Sequence, residues 1–215
     1  MTQDHRANSL KYWDETHRSQ NYDRKSVGVD DWLDRFADII MPAQSPIVDI
    51  GCGGGNDTLH LIEKGKQVIP CDQSDCAIEN IKKNYPEIVN AVCFNMLDDF
   101  PFGDGLFEVV IADLSLHYFR EADTDRILSE IRRILVPGGH LIFRVNSVND
   151  VNHGAGQGRL VERNLYETES GTLKRFFDEA DINRFFGRFT IEYMNEEIMY
   201  RYKLEKWLFV GCVRR

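Results

Sequence analysis

One segment constrains this chain more than any other: Ile47 to Thr58 reads Ile-Val-Asp-Ile-Gly-Cys-Gly-Gly-Gly-Asn-Asp-Thr. An apolar run ends at Ile50, a turn follows with Gly51, Gly53 and Gly55, and a helical pattern opens near Asp57. Glycine enters left-handed backbone without strain and lets the main chain approach a ligand closely. A strand that leaves through such a turn into a helix starts a parallel βαβ unit, whose ligand lies at the strand's carboxyl end. Asp72 closes the next apolar run, about 20 positions on, where an acid grips ribose hydroxyls in folds of this kind. The pairing points to an adenosine cofactor.

The identity of that cofactor follows from charge. Nicotinamide-binding loops read G-x-G-x-x-G around a pyrophosphate at a helix N-terminus. Here Asn56 takes the third glycine position, Asp49 precedes the turn and Asp57 follows it. Carboxylates so placed repel a pyrophosphate and attract a sulfonium and an amino group. A nicotinamide-dependent dehydrogenase is thereby disfavoured.

These residues resemble the first motif of the class I S-adenosylmethionine-dependent methyltransferases: hydrophobic, Asp or Glu, hydrophobic, Gly-x-Gly-x-Gly. Arg133-Ile-Leu-Val-Pro-Gly-Gly-His-Leu-Ile-Phe resembles that family's R-x-L-x-P-G-G-x-L helix-turn-strand, and Phe107 to Tyr118 resembles its fourth strand and following loop. The core motifs are similar to those of quinone-biosynthesis and tellurite-resistance-type methyltransferases. The resemblance implies an α/β three-layer sandwich with a seven-stranded, mostly parallel sheet, ordered 3-2-1-4-5-7-6, whose last strand is antiparallel. It implies S-adenosylmethionine as cofactor. Gly51, Cys52, Gly53 and Gly55 would flank its methionine part, Asp49 would help anchor its amino end, and Asp72 would bind the ribose.

Length and composition bound this reading. The 215 residues suffice for one well-buried α/β domain and are too few for two. A net charge of −9 argues against a broad phosphate-binding surface, so a small-molecule acceptor is expected and nucleic acid is disfavoured. Cys52, Cys71, Cys76, Cys93 and Cys212 lack C-x-x-C spacing and read as reduced core or near-core thiols. Neither a leader pattern nor a membrane-spanning apolar run occurs, so the expected setting is cytoplasmic, without membrane insertion. No two histidines have metal-ligand spacing, and no bound metal is expected.

Apolar periodicity gives alternating elements, as a parallel sheet with crossover helices requires. Trp32, Leu33, Phe36, Ile39 and Ile40 form a helical stripe before the first strand. Strands are predicted at Gln67 to Cys71, Ala91 to Asn95, Phe107 to Ala112 and Leu141 to Val145, the last after Pro137 stops a helix and Gly138 and Gly139 turn the chain. Asp178 caps a helix ending at Gly187, and Phe189 to Met194 with Leu204 to Val213 reads as a terminal hairpin.

Ligands of open α/β sheets sit beyond the carboxyl ends of the strands. Four strand ends therefore define the cofactor pocket: Asp49 to Gly55, Asp72 with Gln73, Asn95 with Met96, and Asp113 with Leu114. By resemblance the pair after strand three meets the adenine. Asn95 stands where the family often has an acid, and Met96 reads equally as core filling. His117 is the candidate general base; the alternative is a histidine that packs or hydrogen-bonds beneath the lid.

Residues 1–28 are expected to form an N-terminal lid segment, with Tyr12, Trp13 and Tyr22 over the acceptor, where aromatic faces also suit a sulfonium. The competing reading makes Leu10 and Trp13 the apolar face of an ordinary packed helix. Residues 147–175, polar and glycine-rich, read as a substrate loop. Tyr118 and Arg159 complete the expected acceptor contacts, Arg159 by holding a carboxylate, with a solvated charge as the alternative. The sequence thus predicts one domain that methylates a small organic acceptor. A cofactor-binding protein without catalysis is the other class of reading.

Overall fold

The computed structural model describes residues 3–20, 30–88 and 90–215. The chain runs through α1 (Gln3–Ser19), a 3-10 turn at Trp32–Phe36, α2 (Ala37–Ile40), β1 (Ile47–Ile50), α3 (Asn56–Glu63), β2 (Val68–Asp72) and α4 (Asp75–Asn84). It continues through β3 (Val92–Cys93), β4 (Phe107–Asp113), α5 (Glu121–Ile134) and β5 (Leu135–Asn146). Next come β6 (Arg159–Glu162), β7 (Leu165–Glu167), β8 (Leu173–Arg175), α6 (Glu179–Phe186), β9 (Thr190–Met199) and β10 (Lys206–Arg214).

Seven strands form one sheet in the order β3-β2-β1-β4-β5-β10-β9. Numbered within that sheet, the order is the expected 3-2-1-4-5-7-6. β10 runs antiparallel to both of its neighbours, and the pairings among β1 to β5 are parallel.

Side-chain alternation divides the core between the two faces. Val48, Ile50, Val110, Ala112, Leu141, Phe143 and Val145 pack under α5 and α6 with Ile127, Ile131, Phe185 and Phe186. Ile47, Val109, Ile111, Ile142, Leu208 and Val210 pack on the other face against Trp32, Leu33, Phe36 and Ile40. Asp49, Asp113 and Arg144 continue that second face by the same period of two. Three charged residues are thus carried to the sheet's carboxyl edge among apolar neighbours.

Three expectations change. The third strand is shorter than predicted, at Val92–Cys93. The helix before Pro137 ends at Ile134, because Leu135 is already extended and pairs with Phe107, so strand geometry and not proline stops it. Residues 147–175 are no plain loop, since β6, β7 and β8 form a second, antiparallel sheet.

The small sheet is held by a buried cation. Arg175 is 1% exposed and donates to Glu162 Oε2 at 2.7 Å, to the Arg163 carbonyl at 3.0 Å and to the Phe119 carbonyl at 3.3 Å. Its backbone N–H reaches the His117 carbonyl at 2.7 Å, and the Phe177 N–H reaches the Asn146 carbonyl at 2.8 Å. A buried cation persists only when paired and hydrogen-bonded. These bonds fasten β8 across the ends of β4 and β5.

Candidate functional site

A cavity of about 540 Å³ opens at the carboxyl ends of β1, β2, β4 and β5, within the ~300–1,000 Å³ usual for small-molecule sites. It gathers the expected Asp49, Gly51, Cys52, Gly53, Asp72, Gln73, Asn95, Met96, Asp113, Leu114, His117 and Tyr118, with Tyr12 and Trp13 from α1. Gly55 shapes the turn from behind. Its φ is +85°, and a Cβ there would lie 2.6 Å from Ile81 Cδ1 and 2.9 Å from Tyr85. Gly51 is equally constrained, since its φ is +74° and a Cβ would meet Ser115 Cβ at 2.4 Å.

One end of the cavity is acidic. Asp49 is 1% exposed and accepts a 2.6 Å bond from Thr58 Oγ1. Burial, and then the nearby Asp113 and Asp72, push its carboxyl up to about 7 against the stabilising Thr58 bond. Burial raises Asp57 well above the ordinary range, with Asp113 and Asp49 adding to the shift. Asp57 accepts from Trp32 Nε1 at 2.8 Å. Asp72 is also raised by burial, against bonds from the Ser74 and Gly53 N–H groups at 2.9 and 3.0 Å. Asp113 receives a bidentate pair from Arg144 at 2.6 and 2.7 Å. Carboxylates crowded until they resist ionisation fit a cationic ligand, which relieves the repulsion that raised them.

Next to this end, Asn95 is tied to its neighbours. Its Nδ2 donates to Gln73 Oε1 at 2.7 Å and its Oδ1 accepts from the Leu97 N–H at 2.9 Å. Gln73 in turn donates to Ser9 Oγ at 3.2 Å. The chain thereby links the strand ends to α1.

α1 roofs the cleft with a polar stripe. His5, Ser9 and His17 are buried and Trp13 is half-buried, positions four apart that share one helix face, whereas Leu10 is 44% exposed. The apolar-face reading of Leu10 with Trp13 therefore fails. Asp14 accepts from Ser74 Oγ at 2.9 Å, and His5 pairs with Glu167 of β7 at 3.1 Å, so the helix bridges the main sheet and the small one. Trp13 meets Tyr118 edge to face at 5.3 Å and stacks on His17 at 5.8 Å. His17 closes over the glycine turn: a Cβ on Gly53 would stand 3.3 Å from its Cε1.

The far end of the cavity reverses the charge. Lys174 from β8, Lys206 from β10, His153 and Tyr202 line it together with His117 and Asn146, and Arg201, paired with Asp30 and 3.8 Å from Asp113, stands between this end and the acids. Lys206 pairs with buried Asp150 at 2.8 Å, and Lys174 donates to the His153 carbonyl at 2.7 Å. Burial lowers Lys174 to about 8, with repulsion from Lys206 adding to it. His117 is 1% exposed, and burial, then Lys206 and Lys174, hold its ring well below the ordinary histidine value. The His117 Nδ1 and both amide atoms of Asn146 are buried without a hydrogen-bond partner.

Sequence reasoning missed this far end and His17. Asn146, Lys174, Arg201 and Lys206 come from three segments distant in sequence, and no local spacing joins them. Two predicted contacts also change. Arg159 is an exposed residue of β6, ion-paired with Glu167, and is not among the residues lining the cavity. The solvated alternative describes it, because its side chain is exposed and already paired outside the cavity lining. Tyr22 lies outside the described residues.

Known proteins share this architecture. A family model described as a methyltransferase domain matches residues 48–143. An uncharacterized methyltransferase of Synechocystis is 35% identical over 100 residues, 46% of this chain and 46% of that protein. The tRNA N(3)-methylcytidine methyltransferase of Schizosaccharomyces pombe is 27% identical over 195 residues, 78% of this chain and 76% of that protein. The crystal structure of a SAM-dependent methyltransferase from Anabaena variabilis has a TM-score of 0.74 at 18% identity, covering 97% of this chain and 94% of that one, a likeness of fold.

These relatives overturn one expectation. Net acidity argued against nucleic acid and for a small-molecule acceptor, yet the yeast relative and other tRNA cytidine methyltransferases match this chain. Net charge averages over the molecule, whereas the far wall of this cavity is locally cationic. Among the described residues no helix is long and apolar enough to cross a membrane. The motifs legible in the sequence, the sheet order and the acidic cleft beside the glycine turn all converge: the chain carries a methyltransferase domain over residues 48–143, has the fold of, and resembles, the class I S-adenosylmethionine-dependent methyltransferases, and its cofactor is S-adenosylmethionine.

Proposed function

We propose that this chain transfers the methyl group of S-adenosylmethionine to a base nitrogen in RNA, a cytidine N3 of the kind named for its tRNA-modifying relatives. The observation that carries the reading is the polarity of the cavity. Its acidic end suits a cationic methyl donor, and its cationic, aromatic end suits an electron-rich planar acceptor bearing phosphate. The bound cofactor supplies an already activated methyl group.

The protein's share is binding and alignment. Asp49 holds the donor's amino end, Asp72 its ribose, and Gln73, Asn95 and Met96 the adenine side. Trp13, Tyr118 and Tyr202 offer faces on which a base stacks. Cytosine N3 attacks with a lone pair, so no proton has to leave, and a neutral, buried His117 positions rather than deprotonates. Alignment of two bound reactants is worth up to ~7–11 kcal/mol. The chain acts as one methyltransferase unit, with α1 as its lid and residues 147–175 as its acceptor wall.

The test is label transfer. Total tRNA incubated with the protein and methyl-tritiated S-adenosylmethionine, then digested to nucleosides, is expected to carry label in 3-methylcytidine. Protein that binds the donor but leaves RNA unlabelled with enzyme in excess refutes the reading.

A further inference from the structure

The far wall contains an arrangement that a folded protein keeps only at a cost. Asn146 is fully buried with both its amide nitrogen and its amide oxygen unpartnered, and buried His117, which lines the same cavity, has an unpartnered Nδ1. A buried polar group left in that state destabilises the fold, so nearly all such groups in native proteins find a partner. These two line the same cavity as Lys174.

Lys174 differs from the other cations that line the cavity. Arg201 is held by Asp30, and Lys206 by Asp150. Lys174 donates to the His153 carbonyl and forms no direct ion pair among the described residues, the nearby Asp150 being paired with Lys206. It is half-buried on β8, which the Arg175 to His117 and Phe177 to Asn146 backbone bonds lay against the ends of β4 and β5. One ammonium and two unsatisfied polar side chains thus share a wall that the cofactor-binding residues do not occupy.

We propose that Lys174, Asn146 and His117 form an acceptor subsite for an anionic oxygen, which in an RNA acceptor is the phosphate of the nucleotide being methylated. The identification of that oxygen as a nucleotide phosphate rests on the RNA reading above. Lys174 supplies the charge, Asn146 an amide N–H, and His117 a ring nitrogen that holds the neighbouring hydroxyl or oxygen in place. The Asn146 carbonyl oxygen remains to accept from a hydroxyl such as the ribose 2′-OH, the group by which proteins tell RNA from DNA.

The experiment uses the full chain saturated with S-adenosylhomocysteine and compares cytidine with cytidine 5′-monophosphate by titration calorimetry. A charge-assisted bond predicts that the nucleotide binds roughly ten- to a hundredfold more tightly than the nucleoside. Lys174→Met is expected to erase that advantage while cytidine and S-adenosylhomocysteine affinities stay within about twofold, and Lys174→Arg to restore it. If Lys174→Met does not fold, Lys174→Gln takes its place, and far-ultraviolet dichroism with thermal unfolding establishes the folded state first. Equal affinities for nucleoside and nucleotide, or a nucleotide preference that survives loss of the ammonium, overturn the subsite. A lysine-dependent nucleotide preference with unlabelled RNA keeps the subsite and removes the RNA reading. RNA labelled equally well by wild type and Lys174→Met, with no nucleotide preference, removes the subsite and keeps that reading.

Discussion

Replacing Asp49 by asparagine sets stability against binding. The side chain is 1% exposed and accepts the Thr58 hydroxyl at 2.6 Å, a bond an asparagine oxygen keeps. Burial, Asp113 and Asp72 lift the carboxyl from 3.8 to about 7. That is roughly three pH units at ~1.4 kcal/mol each, on the order of 4 kcal/mol. The sign follows from proton counting. Between these two values the folded protein binds more protons at this group than the unfolded chain does, so its stability falls as pH rises and the loss is complete above about 7. Asparagine has no proton to lose, so Asp49→Asn should match the wild type near pH 4 and exceed it by up to ~4 kcal/mol near pH 8.5. At roughly 2–4 °C per kcal/mol for a chain of this size, the melting temperatures should separate by up to ~8–16 °C.

Cofactor binding should move the other way. In the proposed function Asp49 faces the donor's amino end, so removing its charge should cost a charge-assisted bond of ~1.5–3 kcal/mol, about ten- to a hundredfold in affinity. Thermal unfolding of the cofactor-free protein across pH, with calorimetric titration of S-adenosylmethionine, measures both effects. An Asp49→Asn protein less stable than wild type at pH 8.5, a gap that does not depend on pH, or unchanged donor affinity refutes the reasoning.

Other outcomes follow from the same geometry. Asp72→Ala should weaken S-adenosylmethionine binding by ~1.5–3 kcal/mol through loss of the ribose bonds, and unaltered calorimetric affinity would remove Asp72 from the site. Gly51→Ala places a Cβ 2.4 Å from that of Ser115 at φ +74°, so denaturant unfolding should show a loss of roughly 2–4 kcal/mol. Because burial holds His117 well below its ordinary value, turnover should show no His117-dependent limb between pH 6 and 8; a limb there that His117→Gln abolishes would make it a titrating base. Arg159→Ala should leave the KM for acceptor within about twofold, since Arg159 pairs with Glu167 away from the cavity, and a large rise would return it to the site.

What the sequence disclosed was what local chemistry dictates. Gly51, Gly53 and Gly55 read as a turn because their φ values of +74°, +51° and +85° lie in the left-handed region that favours glycine, and such a turn after a buried strand fixes Asp49 and its neighbours within a few residues. The sheet order came with the motifs. The lid and the acceptor wall were less legible for physical reasons. α1 buries His5, Ser9 and His17, so a search for apolar periodicity selects the wrong face of it. β6, β7 and β8 span only three or four residues each, too few to display a period of two, and their anchor is a buried Arg175 that reads in sequence as surface charge.

The nucleic-acid expectation failed through averaging. A net charge of −9 describes the field far from the molecule, but at physiological salt an exposed charge is felt over only ~8 Å. Asp49, Asp57 and Asp72 line this cavity together with Lys174 and Lys206, and beside them Arg144 and Arg201 offset the charges of Asp113 and Asp30. In the proposed function, a donor that carries positive charge and an acceptor that carries negative charge would each be drawn to the groups of opposite sign. The sum over all residues conceals that division, because the acids proposed to hold the donor are counted against the acceptor as well.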